Sequence, residues 1–543
     1  MVRPGWYAPL TALLAGLACA LAHPPFGLLP GLLGYSLILL RLETVQGPRP
    51  LRSAFVMAWL AGLGYFAVST WWIAEPFLVD VRTYGWMAPF AVVLMGGGLA
   101  LFWGAAGAAY RALRPRSAWK VLVFAGVFSA AEWLRGHVLT GFPWDLPGES
   151  WAAGSAPSQA AALVGSYGLT WITLALAAAP AILMLPVRRL AQAGMLVAAG
   201  VGLTILYAGG AGRLAASARP LYAKDAPVIR IVQANIDQKN KWKPENLGLV
   251  FDAYAGLTQQ PVAKQPVAQQ AGAKQPGAQQ AGAQRPDIVI WPEGALPAVI
   301  DDLIAPGSPF APRLRDVIQP GQTLLMGANR AEPAGSGDYR YFNTLVAFRR
   351  DAQALRVTGY YDKYRLVPFG EFMPLGKLAG RVGFRSLVHM PDDFTAGPPP
   401  RPLVVEGVPP VQPLICYEAL FPRLAQGPRP KWILNISNDA WFGQGSGPLQ
   451  HLNIASYRAI ESGLPIVRAT PTGVSAVIDA EGRILPGKQL GLGAFGVIDA
   501  RLPDAVAPTP YSRLGDSLFA GLLGLSALAW LAGRRRRPRP EVA

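Results

Sequence analysis

The chain has 543 residues, 52% of them hydrophobic and only 15% charged, with a formal net charge of +17. So apolar a balance excludes an ordinary soluble protein of this length and points to the membrane class. A pI near 10.0 would suit a nucleic-acid binder, but the cations sit beside apolar runs, where anionic membrane lipid is the partner to expect and nucleic acid is not.

Runs long enough to cross about 30 Å of hydrocarbon occur near 6–22, 25–40, 53–73, 86–108, 119–134, 161–185 and 193–210, with an eighth at 514–533. The basic start and apolar core of "MVRPGWYAPLTALLAGLACALAHPPF" also fit a signal peptide, but the runs that follow favour an uncleaved first helix. Cytoplasmic loops collect Lys and Arg, which orients the set. With the N-terminus inside, the inside segments hold fifteen: Arg3; Arg41, Arg49 and Arg52; Arg111, Arg114, Arg116 and Lys120; Arg188 and Arg189; Arg534, Arg535, Arg536, Arg537 and Arg539. The outside loops hold two, Arg82 and Arg135. Both termini are therefore expected in the cytoplasm. The organisation reads as a transmembrane domain of seven helices over 1–210, an extramembrane domain over 211–510, and a last helix with a basic tail over 511–543.

From Val228 onward short β-rich runs such as "VIRIVQAN", "DIVIW", "TLLMGANR", "NTLVAF", "PLIC", "WILNIS", "PIVRAT" and "VSAVID" alternate with helical or loop segments, the pattern of an α/β domain. Residues 259–286, a degenerate repeat of Ala, Gln, Pro, Gly and Lys, have almost nothing to bury and read as a flexible insertion without a catalytic role.

The chain has two cysteines, Cys19 in the first apolar run and Cys416 in the extramembrane domain, so no disulfide can form within that domain. Cys416 is then either a small buried hydrophobe or a reactive thiol. Its surroundings bear on the choice, because three strand-like runs finish on chemically useful groups: "DIVIWPEGALP" on Glu293, "GYYDKYRLVPFGEFMP" on Lys363 and then Glu371, and "PLICYEALFP" on Cys416 and Glu418. Ligands and catalytic groups gather in loops beyond strand ends. A thiol attacks as thiolate and needs a base, which a partly desolvated Glu293 supplies. Attack on an acyl carbon creates an oxyanion, which the Lys363 ammonium and backbone amides stabilise. Read singly, Glu293 is equally an ordinary surface carboxylate and Lys363 a partner for Asp362 or Glu371. The four histidines show no metal-ligand spacing, and phosphate-loop, dinucleotide and serine-elbow motifs are missing, so neither a metal nor a cofactor is expected.

The stretches "WPEGALP", "DKYRLVPFGEFMP", "ICYEALFP" and "NISNDAWFGQGSGPLQHLNIASYRAIESGLPIVRAT" together resemble the carbon–nitrogen hydrolase, or nitrilase, superfamily with its Glu, Lys, Cys triad. In the membrane half, "EWLRGHVLTGFPWDLPG" and "GSYGLTW" resemble the bacterial apolipoprotein N-acyltransferases. The resemblance implies an eight-span inner-membrane enzyme with a periplasmic αββα sandwich domain. It implies Glu293 as general base, Lys363 as oxyanion-stabilising lysine and Cys416 as nucleophile, with Glu371, Tyr417 and Glu418 as supporting neighbours. It further implies that Trp242 rides a mobile segment over the site, and that Trp144 and Arg135 contact lipid or the transition state. The reaction implied moves an acyl chain from a phospholipid, typically phosphatidylethanolamine, through a Cys416 thioester to the α-amino group of a diacylated apolipoprotein. Trp441 and Phe442 are candidates for shielding that thioester from water, core packing being their alternative. The chain departs from the family pattern at Pro471, usually Asn, and at Leu464, often Arg, which bears on loop geometry there.

Two competing readings remain: a small-amide hydrolase on a membrane anchor, and a non-catalytic scaffold or transporter with a decayed domain. Eight spans with polar residues such as Glu132 and Arg135 exceed what an anchor needs, and decay would have cost triad positions that are present.

Overall fold

The computed structural model describes residues 7–261, 285–335, 337–374, 376, 392–423 and 426–535. Most of the 259–286 insertion lies outside the described residues. The chain divides into two compact units, one formed by residues up to 218 with 445–463 and 508 onward, the other by 219–444 with 464–507.

The first unit is helical. Each expected apolar run contains a helix, but among the described residues six helical segments, Pro50–Ser69, Val81–Leu113, Ser117–His137, Pro157–Met184, Arg189–Ala216 and Ser517–Arg534, are long and apolar enough to cross a membrane. Tyr7–Ala20 has 14 residues and Gly34–Glu43 has 10, both short of a full span. The prolines at 24, 25 and 30 lack the amide a helix needs and separate these two. Small residues let the helices approach closely. A β-carbon on Gly16 would lie 1.7 Å from the Ala61 carbonyl oxygen, and one on Gly64 2.2 Å from that of Leu13.

Another long helix, Ser446–Ser462, also belongs to this unit and is buried along nearly all its length. It carries a satisfied polar stripe. Arg458 pairs with Glu461 at 3.0 Å and with Glu149 at 3.2 Å. Glu461 accepts from the Ser166 amide at 2.8 Å, and Asn453 donates to the Glu149 carbonyl at 2.8 Å. Buried charges persist only when paired in this way.

Among the described residues the second unit holds two six-stranded sheets; with strands numbered along the chain, β6 at Leu403–Val405, β10 at Ser475–Ile478, β11 at Ile484–Leu490, β12 at Gly496–Arg501 and the others bounded below, their orders are β12-β1-β2-β3-β4-β5 and β11-β10-β9-β8-β7-β6. In the first, β1 (Val228–Gln233), β2 (Ile288–Trp291) and β3 (Thr323–Gly335) run parallel, while β4 (Asp338–Arg350) and β5 (Leu355–Asp362) add antiparallel. In the second, β7 (Val408–Ile415), β8 (Trp432–Ile436) and β9 (Ile466–Ala469) run parallel. Side chains alternate across each strand, so Ile288, Ile290 and Leu325 join Ile415, Ile436 and Val467 in one core between the sheets. Val289, Trp291, Leu324 and Met326 point the other way, onto the helices Leu247–Gln259 and Phe310–Val317. The α/β domain expected beyond Val228 is thus present, with helices on the outer face of the first sheet.

Candidate active site

The sheets bring the candidate residues together at one end. Glu293 follows β2, Lys363 follows β5, Cys416 follows β7 and Asn438 lies beyond β8. The end of β2 turns sharply enough that a β-carbon on Gly327 of β3 would sit 2.5 Å from both Glu293 Cα and the Pro292 carbonyl oxygen. Glycine is what lets that turn lie against the strand.

Glu293 is held at both carboxylate oxygens. Oε1 accepts from Asn343 Nδ2 at 2.7 Å and lies 3.4 Å from Lys363 Nζ, and Oε2 accepts the Asn438 backbone N–H at 2.6 Å. Lys363 is 1% exposed, and its ammonium donates at 2.9 Å to Glu371 Oε1, which also takes a 2.8 Å bond from Asn343. Burial would lower Lys363, but the carboxylates of Glu371 and Glu293 outweigh it and hold the ammonium charged, above the ordinary lysine range.

Cys416 occupies the left-handed region at φ 48°, where a residue with a side chain costs about 1–3 kcal/mol and persists only if its surroundings hold it. Glu418 supplies much of that hold. Its Oε2 accepts the Ile415 N–H at 2.8 Å, and its Oε1 accepts from the Tyr361 hydroxyl at 2.8 Å and the amides of Tyr364 at 2.8 Å and Arg365 at 3.1 Å. One carboxylate therefore ties the Cys416 turn to the segment that carries Lys363. Burial, and then the Glu293 charge, pushes the Cys416 thiol well up; Lys363 and a bond from Ser437 pull it down. The balance favours the neutral thiol.

Other expected residues fall as follows. Tyr417 is buried and meets the Phe421 ring edge-on at 5.1 Å. Phe442 packs against the core between the sheets, and Trp441 beside it is half-buried. Trp242 is half-buried, with Lys241 Nζ 5.5 Å from its ring centroid. Arg135 and Trp144 belong to the helical unit, each 1% exposed. Arg135 pairs with Glu132 and donates to the carbonyls of Phe142 at 2.5 Å and Trp144 at 3.0 Å, while Trp144 Nε1 donates to Gln450 at 3.0 Å. There they brace the loop between two helices. At the departures, Leu464 is buried, and the Pro471 carbonyl accepts the Asn235 N–H at 2.8 Å, a bond that needs no particular side chain.

Asn343, Asn438, Gln238 and Lys241 gather around the triad and were not singled out from sequence. The signal for two of them was slight, an Asn opening "NTLVAF" and another closing "WILNISN".

Residues 15–179 match the family model for the apolipoprotein N-acyltransferase N-terminal domain, and residues 228–511 match that for carbon-nitrogen hydrolase. A relative from Caulobacter vibrioides is 54% identical over 97% of this chain and 94% of its own. Relatives from Rhodopseudomonas palustris and Bradyrhizobium diazoefficiens are 36% and 38% identical, each over 98% of this chain and 96% of theirs. All three are named apolipoprotein N-acyltransferase.

Proposed function

Because the chain belongs to the apolipoprotein N-acyltransferase family, we propose that it moves an acyl chain from a membrane phospholipid to the α-amino group of the diacylglyceryl-cysteine at an apolipoprotein's N-terminus. The observation that carries this reading is the convergence of a thiol at Cys416, a fully coordinated carboxylate at Glu293 and a buried ammonium at Lys363 at one end of two facing sheets.

Glu293 takes the Cys416 proton as sulfur attacks the sn-1 ester carbonyl of the donor, for which phosphatidylethanolamine is the proposed lipid. The tetrahedral oxyanion is stabilised by Lys363 Nζ, a contribution of about 3–4 kcal/mol per well-placed donor. Collapse breaks the ester C–O bond, Glu293 returns the proton to the leaving alkoxide, and lysophospholipid departs from a Cys416 thioester. The acceptor amine then attacks the thioester, Glu293 takes its proton, and the thiolate leaves and is reprotonated. Ester and amine have become alcohol and amide, with no cofactor. Thiolate is the better leaving group, which drives the second step forward.

The proposed setting is the bacterial inner membrane, crossed eight times with both termini cytoplasmic and the catalytic unit periplasmic, at the surface where both lipid-anchored substrates lie. Substrates confined to that surface meet the site at high effective concentration. The proposed count of eight takes in the two short helices, Tyr7–Ala20 and Gly34–Glu43, each of which needs its flanking residues to reach across. Trp242, Trp441 and Phe442 are proposed to keep water from the thioester, and Trp144 and Arg135 to shape the membrane half of the donor path.

The test is intact mass of purified protein in phospholipid micelles, with and without Cys416→Ala, before and after a diacylated lipopeptide. A hydroxylamine-sensitive acyl adduct, missing in the variant and passed to the peptide amine, is the expected result. An adduct lost only to water would replace this reading with a hydrolase, and no adduct at all would refute it.

A further inference from the structure

Lys241 is a charge near this site that the proposed mechanism does not use, with the Trp242 ring centroid 5.5 Å from its ammonium. It lies in the short helix Gln238–Lys241, is 1% exposed, and its ammonium has no hydrogen-bond acceptor among the described residues. Its Nζ is 3.8 Å from where a β-carbon on Gly294 would sit, which puts it beside the residue that follows Glu293. Glu293 acts on it electrostatically, yet that carboxylate is already engaged by Asn343, Lys363 and the Asn438 amide. Three residues earlier, Gln238 is 7% exposed and also has a buried Nε2 without an acceptor among the described residues, while its Oε1 is engaged by Asn438 Nδ2 at 3.3 Å. Positions i and i+3 share a helix face. One face thus presents two N–H donors, one of them cationic, with no acceptor among the described residues.

Leaving such groups unmet is costly, and buried polar atoms without partners mark places a ligand completes. Two donors with one positive charge suit an anion with several oxygens. We propose that Lys241 Nζ and Gln238 Nε2 form a subsite for the phosphodiester of the acyl-donor lipid, an inference that rests on the acyl-transfer reading above. The donor carries that monoanion a few bonds from the ester to be cleaved, whereas the diacylated acceptor has no phosphate near its amine. The subsite therefore acts in the first half-reaction and selects phospholipid over neutral glycerides. Burial, opposed by the Glu293 charge, lowers Lys241 to about 8, and an arriving phosphodiester favours the ammonium form. Gly294, at φ 52° and without a β-carbon, keeps the space beside Nζ open.

The experiment compares two acyl donors on the full-length protein: phosphatidylethanolamine in dodecyl maltoside micelles, and p-nitrophenyl dodecanoate, which has no phosphate. Formation of the Cys416 acyl adduct is followed by intact mass. In Lys241→Met the ratio of phospholipid rate to ester rate falls about 10- to 100-fold, the size of a hydrogen bond to a charged group, and Lys241→Arg recovers most of it. Gln238→Glu keeps the side-chain shape but adds a negative charge, and lowers the same ratio even should Lys241→Met fold poorly. Equal slowing with both donors in these variants places their action on the reacting carbonyl or the fold and overturns the subsite; so does an unchanged ratio. A wild-type protein acylated by neither donor would instead refute the acyl-transfer reading.

Discussion

Replacing Glu293 by Gln separates the base from the framework. In the native site Oε1 receives Asn343 Nδ2 at 2.7 Å and faces Lys363 Nζ at 3.4 Å, while Oε2 receives the Asn438 N–H at 2.6 Å. An amide has one oxygen. With that oxygen toward Asn343 and Lys363, the new NH2 meets the Asn438 N–H, donor against donor, and one buried amide goes unpaired at about 1–3 kcal/mol. The opposite rotamer sets the NH2 against two donors and costs more. Loss of the base removes about 100- to 10,000-fold from thiol acylation, the usual worth of a positioned proton acceptor. Glu293→Gln is therefore expected to lower both the rate of Cys416 adduct formation, read by intact mass, and the thermal unfolding midpoint. Acylation within tenfold of wild type would refute Glu293 as the base. An unchanged midpoint would refute the two-sided coordination.

Three further outcomes follow from the same geometry. Because burial and the Glu293 charge raise the Cys416 thiol, its thiolate fraction keeps climbing where an ordinary cysteine, half ionised at about 8.5, levels off about one unit higher, so alkylation by iodoacetamide should still rise about tenfold per pH unit at pH ~10; a half-maximal rate near pH ~8.5 would contradict the buried neutral thiol. Glu418→Gln sets an NH2 against either the Ile415 N–H or three donors on the Lys363 side, and should cost about 1–3 kcal/mol in a denaturant titration and slow acylation, an unaltered titration counting against it. Gly327→Ala drives a methyl into Glu293 Cα and the Pro292 carbonyl, and a shift of the base by about 1 Å is worth up to about 100-fold in rate, so wild-type acylation would show that the turn relaxes freely.

That Glu293, Lys363 and Cys416 follow strands was legible in "DIVIWPE", "YYDK" and "PLICYE", and strand ends are where α/β domains place chemistry. What assembles them was not. Asn343 lies within β4 and touches both Glu293 and Glu371, a bridge set by strand pairing across the sheet rather than by local pattern. Nothing in the polar stretch around Lys241 marks it, and the fold buries it in a short helix. The long helical runs were plain from hydropathy, but the spacing of apolar residues over 446–462 holds no hint that Tyr457 and Ile460 join the core of the helical unit. Arg135 looked like a ligand-facing cation, and only the folded chain puts Glu132 and two backbone carbonyls around it.

Glu371 resolves a difficulty inherent in the triad. A base that must accept a proton is weakened by a lysine bonded to it, yet the lysine must stay charged to meet an oxyanion. The distances separate these two demands. Lys363 is 2.9 Å from Glu371 and 3.4 Å from Glu293, so Glu371 carries the closer ion pair and Glu293 the looser one. Asn343 Nδ2, bonded to both carboxylates, keeps them apart with Lys363 between. Glu371 is further anchored by the Val367 N–H at 2.8 Å on its second oxygen, which fixes the ion pair to the backbone that follows Lys363. Breaking a buried pair by removing one partner leaves an uncompensated charge worth about 3–5 kcal/mol. Without Glu371 the carboxylate left beside that charge among the described residues is Glu293, and the lysine would be drawn onto it, away from the place proposed for the oxyanion. In the proposed mechanism the supporting carboxylate thus sets where the Lys363 ammonium stands, and a fourth charged residue serves the three that react.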